Sequence, residues 1–257
     1  MILGLLTRPF RLVGLVVTVA LIVGGIWAWR RIHTSTPAAE DRALAAYRTQ
    51  GSTGGAVRPG VPRPGVYSYE LEGSERAGAG PVHVTRDLPR RAPMIVRLVP
   101  GGYETELRVS EEHLEGFRYR VTSRGTLAVS TRTKLTFLGL GRDDRRTLTP
   151  RPLHLPARPA VGAGWRDVYK AGSLLVRVQS RVLRAETVRV GGRSVPTVVV
   201  RIRSDTEGVH PGRRIETLWW SPDLALVVRR VDDLEIGGTF SFDETATMRL
   251  VSTTPRT

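Results

Sequence analysis

Residues 103–109, YETELRV, place Tyr103, Thr105, Leu107 and Val109 on one face of an extended chain and Glu104, Glu106 and Arg108 on the other. A period of two is that of a β-strand, whose successive side chains point to opposite faces. The pattern spreads outward from there. Phe117, Tyr119 and Val121 alternate with Arg118, Arg120 and Thr122, while Val176, Val178 and Val182 oppose Arg177, Gln179 and Arg181. Near the C-terminus, Phe240, Phe242, Ala246, Met248 and Leu250 oppose Ser241, Asp243, Thr245, Thr247 and Arg249. One apolar face per strand fits an antiparallel sheet wetted on one side. No amphipathic helix pattern follows residue 65.

Turn signals separate the strands. Gly191-Gly192 joins 182–190 to 195–204 as a tight hairpin, glycine supplying the positive φ the turn needs. Gly101-Gly102 and Gly237-Gly238 mark similar turns, and Ser221-Pro222-Asp223 presets a turn through proline. The pattern predicts roughly ten to twelve strands, near the size at which a twisted sheet must curl or split. The expected fold over 65–257 is therefore mainly β: a curved antiparallel meander, either a half-barrel or an open barrel. No repeat of fixed period suggests a propeller. Residues 139–164, GLGRDDRRTLTPRPLHLPARPAVGAG, break the rhythm with four prolines. They read as a long connection, either a functional cover or a plain link whose Leu148, Leu153 and Leu155 pack along a sheet edge.

The N-terminus is of a different kind. Leu12 to Trp29, LVGLVVTVALIVGGIWAW, are 18 consecutive positions without a charge. As a helix they span about 27 Å, close to the hydrocarbon thickness of a bilayer. Trp27 and Trp29 stand where indole rings favour the membrane interface. A cleaved signal peptide competes with this reading, but Arg30, Arg31 and Ile32 offer no small-residue cleavage site. One N-terminal transmembrane helix, with the lipid membrane as partner of residues 12–29, is the expectation. Arg8, Arg11 and the terminal amine slightly outweigh Arg30 and Arg31, favouring a cytoplasmic N-terminus and an extracytoplasmic C-terminal domain. The organisation expected is a tail and anchor over 1–31, a short helix and Gly/Pro-rich linker over 32–64, and a β domain over 65–257. The helix should open at Thr36-Pro37, with Glu40 and Asp41 near its positive end, and run to about Arg48. Together these features place the chain in the cell membrane as a single-pass protein.

Charge and composition exclude several classes. Lys+Arg number 39 against 24 Asp+Glu, for a net +15, yet only Lys134 and Lys170 are lysine. The arginines are scattered, the pairs Arg90-Arg91, Arg145-Arg146, Arg213-Arg214 and Arg229-Arg230 never growing into a run. No nucleic-acid-binding motif accompanies them, so nucleic acid is not an expected partner. The absence of cysteine excludes disulfides, thiolate metal sites and a lipidated cysteine.

Chemistry-bearing patterns are sparse. His33, His83, His113, His154 and His210 show no metal-site spacing, and no hydrolase elbow or phosphate loop occurs. Asp143-Asp144 and Asp232-Asp233 lack the pattern of a calcium loop, and Arg142, Arg145 and Arg146 imply ion pairing around the first. Glu111-Glu112-His113 could not converge, since neighbours on a strand point apart. No catalytic residue, metal or cofactor is expected, and the chain reads as non-enzymatic. The aromatic residues are the candidate ligand-binding set: Phe117, Trp165, Trp219, Phe240 and Phe242. Trp219 and Trp220 are adjacent, so one faces the core and the other lies outward or beneath a loop.

Two stretches carry a family likeness. They are 152-PLHLPARPAVGAGW-165 and the coupled pair 186-ETVRVGGRSVPTVVVRI-202 and 217-TLWWSPDLALVVRR-230. In this order they resemble uncharacterised exported proteins of bacterial envelopes, broadly similar to the half-barrels of Lol-type lipoprotein carriers. The resemblance implies an envelope location and a curved antiparallel sheet. The function expected of such an anchored domain is binding, its concave face taking a lipid or other apolar envelope molecule. The alternative is a structural or protein-interaction module of the envelope without a small-molecule ligand. The chain departs from the carriers in having an anchor in place of a lipidated cysteine.

Overall fold

The computed structural model describes residues 35–54, 57–80, 82–137, 140–238 and 240–257. The expected anchor over 12–29 lies outside the described residues. Among the described residues, no helix is long and apolar enough to cross a membrane. One helix, α1 (Glu40–Gln50), precedes fourteen described strands. They are β1 (Gly65–Ala79), β2 (Val82–Asp87), β3 (Arg91–Val99), β4 (Gly102–Arg108) and β5 (His113–Thr122). Next come β6 (Gly125–Phe137), β7 (Leu140–Thr149), β8 (Leu153–Pro156) and β9 (Gly164–Ala171). The last are β10 (Leu174–Val190), β11 (Arg193–Glu207), β12 (Gly212–Ser221), β13 (Leu226–Ile236) and β14 (Phe240–Leu250).

The sheet closes on itself. Pairing runs β1–β3–β4–β5–β6–β7–β9–β10–β11–β12–β13–β14, and β14 returns antiparallel to β1 from Tyr69↔Leu250 to Ala79↔Phe240. This is a closed twelve-strand barrel, which corrects the expected half-barrel or open barrel. The reason lies in β1, whose fifteen residues serve both edges of the meander. One side of β1 carries β14; the other carries β3 along 65–70 and then β2 along 74–79. Closure leaves neither terminal strand with an unpaired row of backbone groups. Gly73 sits at the hand-over between β3 and β2 with φ +140°, and a Cβ there would run into the Thr245 carbonyl of β14. The seam between β7 and β9 is the short one, joined by Leu148↔Ala171 and Thr149↔Lys170.

The stretch expected as a long connection holds β7 and β8 instead. β7 pairs β6 over Ser130–Phe137, and β8 pairs the start of the same strand. The Gly191-Gly192 hairpin forms as the sequence indicates, with φ +53° and +82°. Its tip reaches the end of β14, where a Cβ on Gly191 would stand 3.0 Å from the Val251 carbonyl oxygen. Val190 and Val195 join Tyr69, Met94, Met248 and Leu250 in one apolar cluster at this end.

Helix α1 lies against the barrel, Ala43 and Leu44 being buried on Val66 and Ile95. The described part of the Gly/Pro-rich stretch is fastened as well. Thr53 donates its backbone N–H to Leu98 O at 3.1 Å, Ser52 Oγ accepts from Leu98 N at 3.1 Å, and Val61 is buried beside Tyr103 and Tyr119. The outside of the wall carries ion pairs such as Arg177–Glu207, Arg203–Asp205, Arg213–Glu235 and Arg249–Glu72. These exposed charges contrast with the apolar outer band of a lipid-embedded barrel.

Candidate functional site: an internal cavity and a buried ion cluster

Alternation along each strand decides what enters the barrel. The even positions of β10–β12 send Val176, Val178, Ile202, Leu218 and Trp220 inward, and the odd positions of β4 and β5 send Tyr103, Phe117 and Tyr119 to meet them. Together they bound a cavity of about 640 Å³, within the usual range for small-molecule sites. One side is aromatic: Tyr119 lies 5.0 Å from Tyr103, 5.8 Å from Phe117 and 5.1 Å from the His154 ring. Burial, with the Arg214 cation adding to it, depresses the His154 pKa to about 4, so this imidazole is neutral at pH 7.

The same alternation carries charged residues inside. His113 and Glu115 share the inward face of β5 with Phe117 and Tyr119, and Arg214 and Glu216 share that of β12 with Leu218 and Trp220. β5 and β12 lie opposite each other, six strands apart around the ring. Their side chains meet across the lumen: Glu115 accepts hydrogen bonds from Arg214 Nη2 at 3.1 Å and from Arg230 Nη1 at 3.0 Å. Arg214 also grips Asp232 of β13 through Nε, 3.0 Å from both carboxylate oxygens. A second arm starts at His113, whose Nδ1 lies 3.1 Å from Glu75 Oε2 on β1 and 3.5 Å from Glu244 Oε2 on β14. Glu75 Oε1 is held by Arg86 of β2. The cluster thus ties β5 to β1, β12, β13 and β14.

Its protonation follows from burial and neighbours. Burial alone would raise the Glu115 pKa, but Arg230, Arg214 and His113 together hold it well below the carboxylate range. Burial would likewise lower the His113 pKa, yet Glu75, Glu244 and Glu115 raise it above the ordinary imidazole value. Glu75 stays below its usual value because His113 and Arg86 outweigh burial. Burial, with Glu115 and Asp232 nearby, pushes the Glu244 pKa up to about 7 despite the opposing pull of His113 and Arg230.

The aromatic residues singled out from sequence divide. Phe117 and Phe242 line the cavity, Phe242 meeting the His113 ring edge-on at 5.9 Å. Trp219 does not, which corrects that expectation. It belongs to the opposite face of β12 and lies beneath Arg229, whose guanidinium carbon is 4.4 Å from its ring centroid. Its neighbour Trp220 takes the cavity position. Trp165 is also set back from the lumen: it packs beside Leu155 and Val182, and its Nε1 donates to Leu153 O of β8 at 2.8 Å. The side chain of Phe240 lies outside the described residues.

The charged cluster is the part that sequence reasoning missed. Strict counting by twos would have found it, because Glu244 falls between Phe242 and Ala246 on the apolar face of β14, and Glu115 shares a face with Phe117. Glu111 and Glu112 do diverge from His113 as expected, Glu111 pairing with Arg42 and Glu112 accepting the Thr36 N–H. His113 instead finds its carboxylates on other strands. The arginines flanking Asp143-Asp144 are partly the partners: Asp144 pairs with Arg146 at 2.9 Å, and Asp143 with Arg132 of β6 at 2.7 Å.

No family model and no curated protein matches the chain. Among solved structures it is similar to the hypothetical lipoprotein YmcC of Escherichia coli K12, at 11% identity over 74% of this chain and 86% of that one, with a TM-score of 0.37. A score of that size marks partial geometric overlap and assigns neither family nor function.

Proposed function

We propose that this chain is a non-enzymatic binding protein of the bacterial cell envelope, which holds one lipid or other apolar envelope molecule inside its barrel. The observation that carries the reading is the 640 Å³ cavity walled by Val176, Val178, Ile202, Leu218, Trp220 and Phe117. An apolar ligand gains about 25 cal/mol for each Å² of apolar surface that leaves water there. The buried ions supply a polar wall for a headgroup, so an amphipathic molecule fits better than a pure hydrocarbon. The charged outer face supports a barrel that stands in water, tethered by residues 12–29, with the domain extracytoplasmic. Nucleic acid has no place in this scheme.

Titration of the full-length protein with a fluorescent fatty-acid probe tests the binding claim. Saturable one-to-one binding, weakened at least about tenfold by the cavity-filling substitution Val178→Trp, supports it; that loss corresponds to about 1.4 kcal/mol. Equal binding to both proteins would place the probe on the detergent or the outer surface and defeat the reading. A compartment-sensitive reporter fused after Thr257 tests the topology, cytoplasmic activity being the contrary result.

A further inference from the structure

We propose that Glu75, His113 and Glu244 form a binding site for one divalent transition-metal ion of the zinc class. The three residues come from β1, β5 and β14, and each offers one donor atom to a common point, all lying within 4.8 Å of one another. The two spacings from His113 suit a shared ion. His113 Nδ1 stands 3.1 Å from Glu75 Oε2 and 3.5 Å from Glu244 Oε2. Two donors bound at about 2.1 Å with angles between octahedral and tetrahedral sit roughly 3.0–3.5 Å apart.

Two further observations point to a cation. The Glu244 side chain is 2% exposed, and its Oε2 finds no hydrogen-bond donor among the described residues. A buried carboxylate oxygen without a hydrogen-bond donor is costly unless it takes a proton or meets a cation, and His113 at 3.5 Å is the group that a shared metal ion would join it to. The second observation is the charge of the whole cluster. Among the described residues of this cluster, five carboxylates (Glu75, Glu115, Glu216, Asp232 and Glu244) face three guanidiniums, those of Arg86, Arg214 and Arg230, while the inward Asp144 is paired with Arg146. A dication bound here would displace the protons shared by His113 and Glu244; with the imidazole then neutral and all five carboxylates ionised, two negative charges remain, which one dication matches.

The surrounding groups distinguish this site from its neighbour. Glu115, Asp232 and Glu244 also converge, but Arg214 and Arg230 already occupy the first two. At Glu75 the guanidinium of Arg86 holds Oε1 and leaves Oε2 turned to His113, the outer support expected of a metal-bound carboxylate. The donor set of one imidazole nitrogen and two carboxylate oxygens, without sulfur, suits zinc, manganese or iron(II) more than calcium or magnesium. This site stands independently of the ligand proposed for the cavity.

The test uses the full-length protein, stripped with chelator, equilibrated with zinc chloride and desalted. Elemental analysis is expected to find one zinc per chain, and X-ray absorption a first shell of nitrogen and oxygen at about 2.0–2.1 Å. Glu244→Gln, which keeps the shape of the side chain, and His113→Gln are each expected to weaken binding at least tenfold. His83→Gln, at an exposed position of β2, is expected to bind as the wild type. Circular dichroism on every protein shows whether it is folded, and if His113→Gln is not, Glu244→Gln decides. A folded wild-type protein that takes up no stoichiometric zinc would overturn the proposal. So would undiminished zinc binding by folded Glu244→Gln.

Discussion

Glu115 of β5 accepts a hydrogen bond from Arg230 of β13 at 3.0 Å, although the two strands belong to opposite parts of the barrel wall. The contact spans the lumen. It makes the interior a place where charge fixes the distance between walls, beside a cavity with a largely apolar lining.

Removing one member of a buried pair leaves the other charge without compensation and commonly costs about 3–5 kcal/mol. Glu115→Gln removes the carboxylate that bridges Arg214 and Arg230 across the lumen, leaving Arg230 with Asp232 at 3.7 Å and Arg214 with Asp232 and Glu216. It is expected to cost about 3 kcal/mol, a fall in melting temperature of roughly 10 °C for a domain of this size. Glu104→Gln, which breaks a half-exposed pair with Arg118, is expected to change stability by less than about 1 kcal/mol. Thermal unfolding of the two variants checks the contrast. Equal effects would remove the special role of the lumen bridge.

His154 gives the fold a defined acid sensitivity. Its pKa is depressed to about 4 in the barrel, against about 6.5 when unfolded. Below pH 6.5 the unfolded chain takes a proton that the folded one refuses, so stability falls as pH drops from about 6.5 towards 4. The full effect is about 3 kcal/mol, and it is absent above pH 7. Urea unfolding at pH 7 and pH 4.5 should show a smaller acid loss in His154→Gln than in the wild type. An identical loss in both would contradict the assignment.

Trp219 and Trp220 separate packing from binding. Either change to alanine removes a large buried ring and is expected to cost about 3–5 kcal/mol. Only Trp220→Ala alters the cavity, so it alone should shift probe affinity by more than about fivefold, near 1 kcal/mol. Arg229→Ala, which uncovers Trp219, is expected to cost about 1 kcal/mol and leave affinity unchanged. Probe titration of the three variants is the check.

The seam between β7 and β9 is the natural place for the wall to part, since two residue pairs join it beside the cavity-lining Leu148 and Ala171. The chain has no cysteine, so Thr149→Cys/Lys170→Cys introduces a single clean cross-link. Oxidation is expected to slow probe entry and exit at least tenfold while leaving equilibrium affinity within about twofold, as read by stopped-flow fluorescence. Unchanged rates would move the entry route elsewhere.

The alternation in YETELRV and in the β14 segment made strand structure and its turns legible, because one apolar face repeats every second residue. Closure was not legible: it depends on Tyr69 meeting Leu250, a pairing between the two ends of the domain that no local pattern encodes. β7 escaped notice for a different reason. Its sequence LGRDDRRTLT is polar on both faces, since Asp144 and Arg146 turn towards the cavity while Asp143 pairs with Arg132 outside. The ion cluster was hidden in the same way, its members being charged residues at positions where alternation calls for apolar ones. Such inward charges break the binary pattern, and broken patterns gather at sites.

Native mass spectrometry of the full-length protein, released from detergent micelles in the gas phase, tests the central claim most directly. The account predicts one endogenous apolar or amphipathic molecule retained per wild-type chain and none on folded Val178→Trp. A wild-type chain that flies bare, or the same adduct on both proteins, would contradict a ligand held inside the barrel.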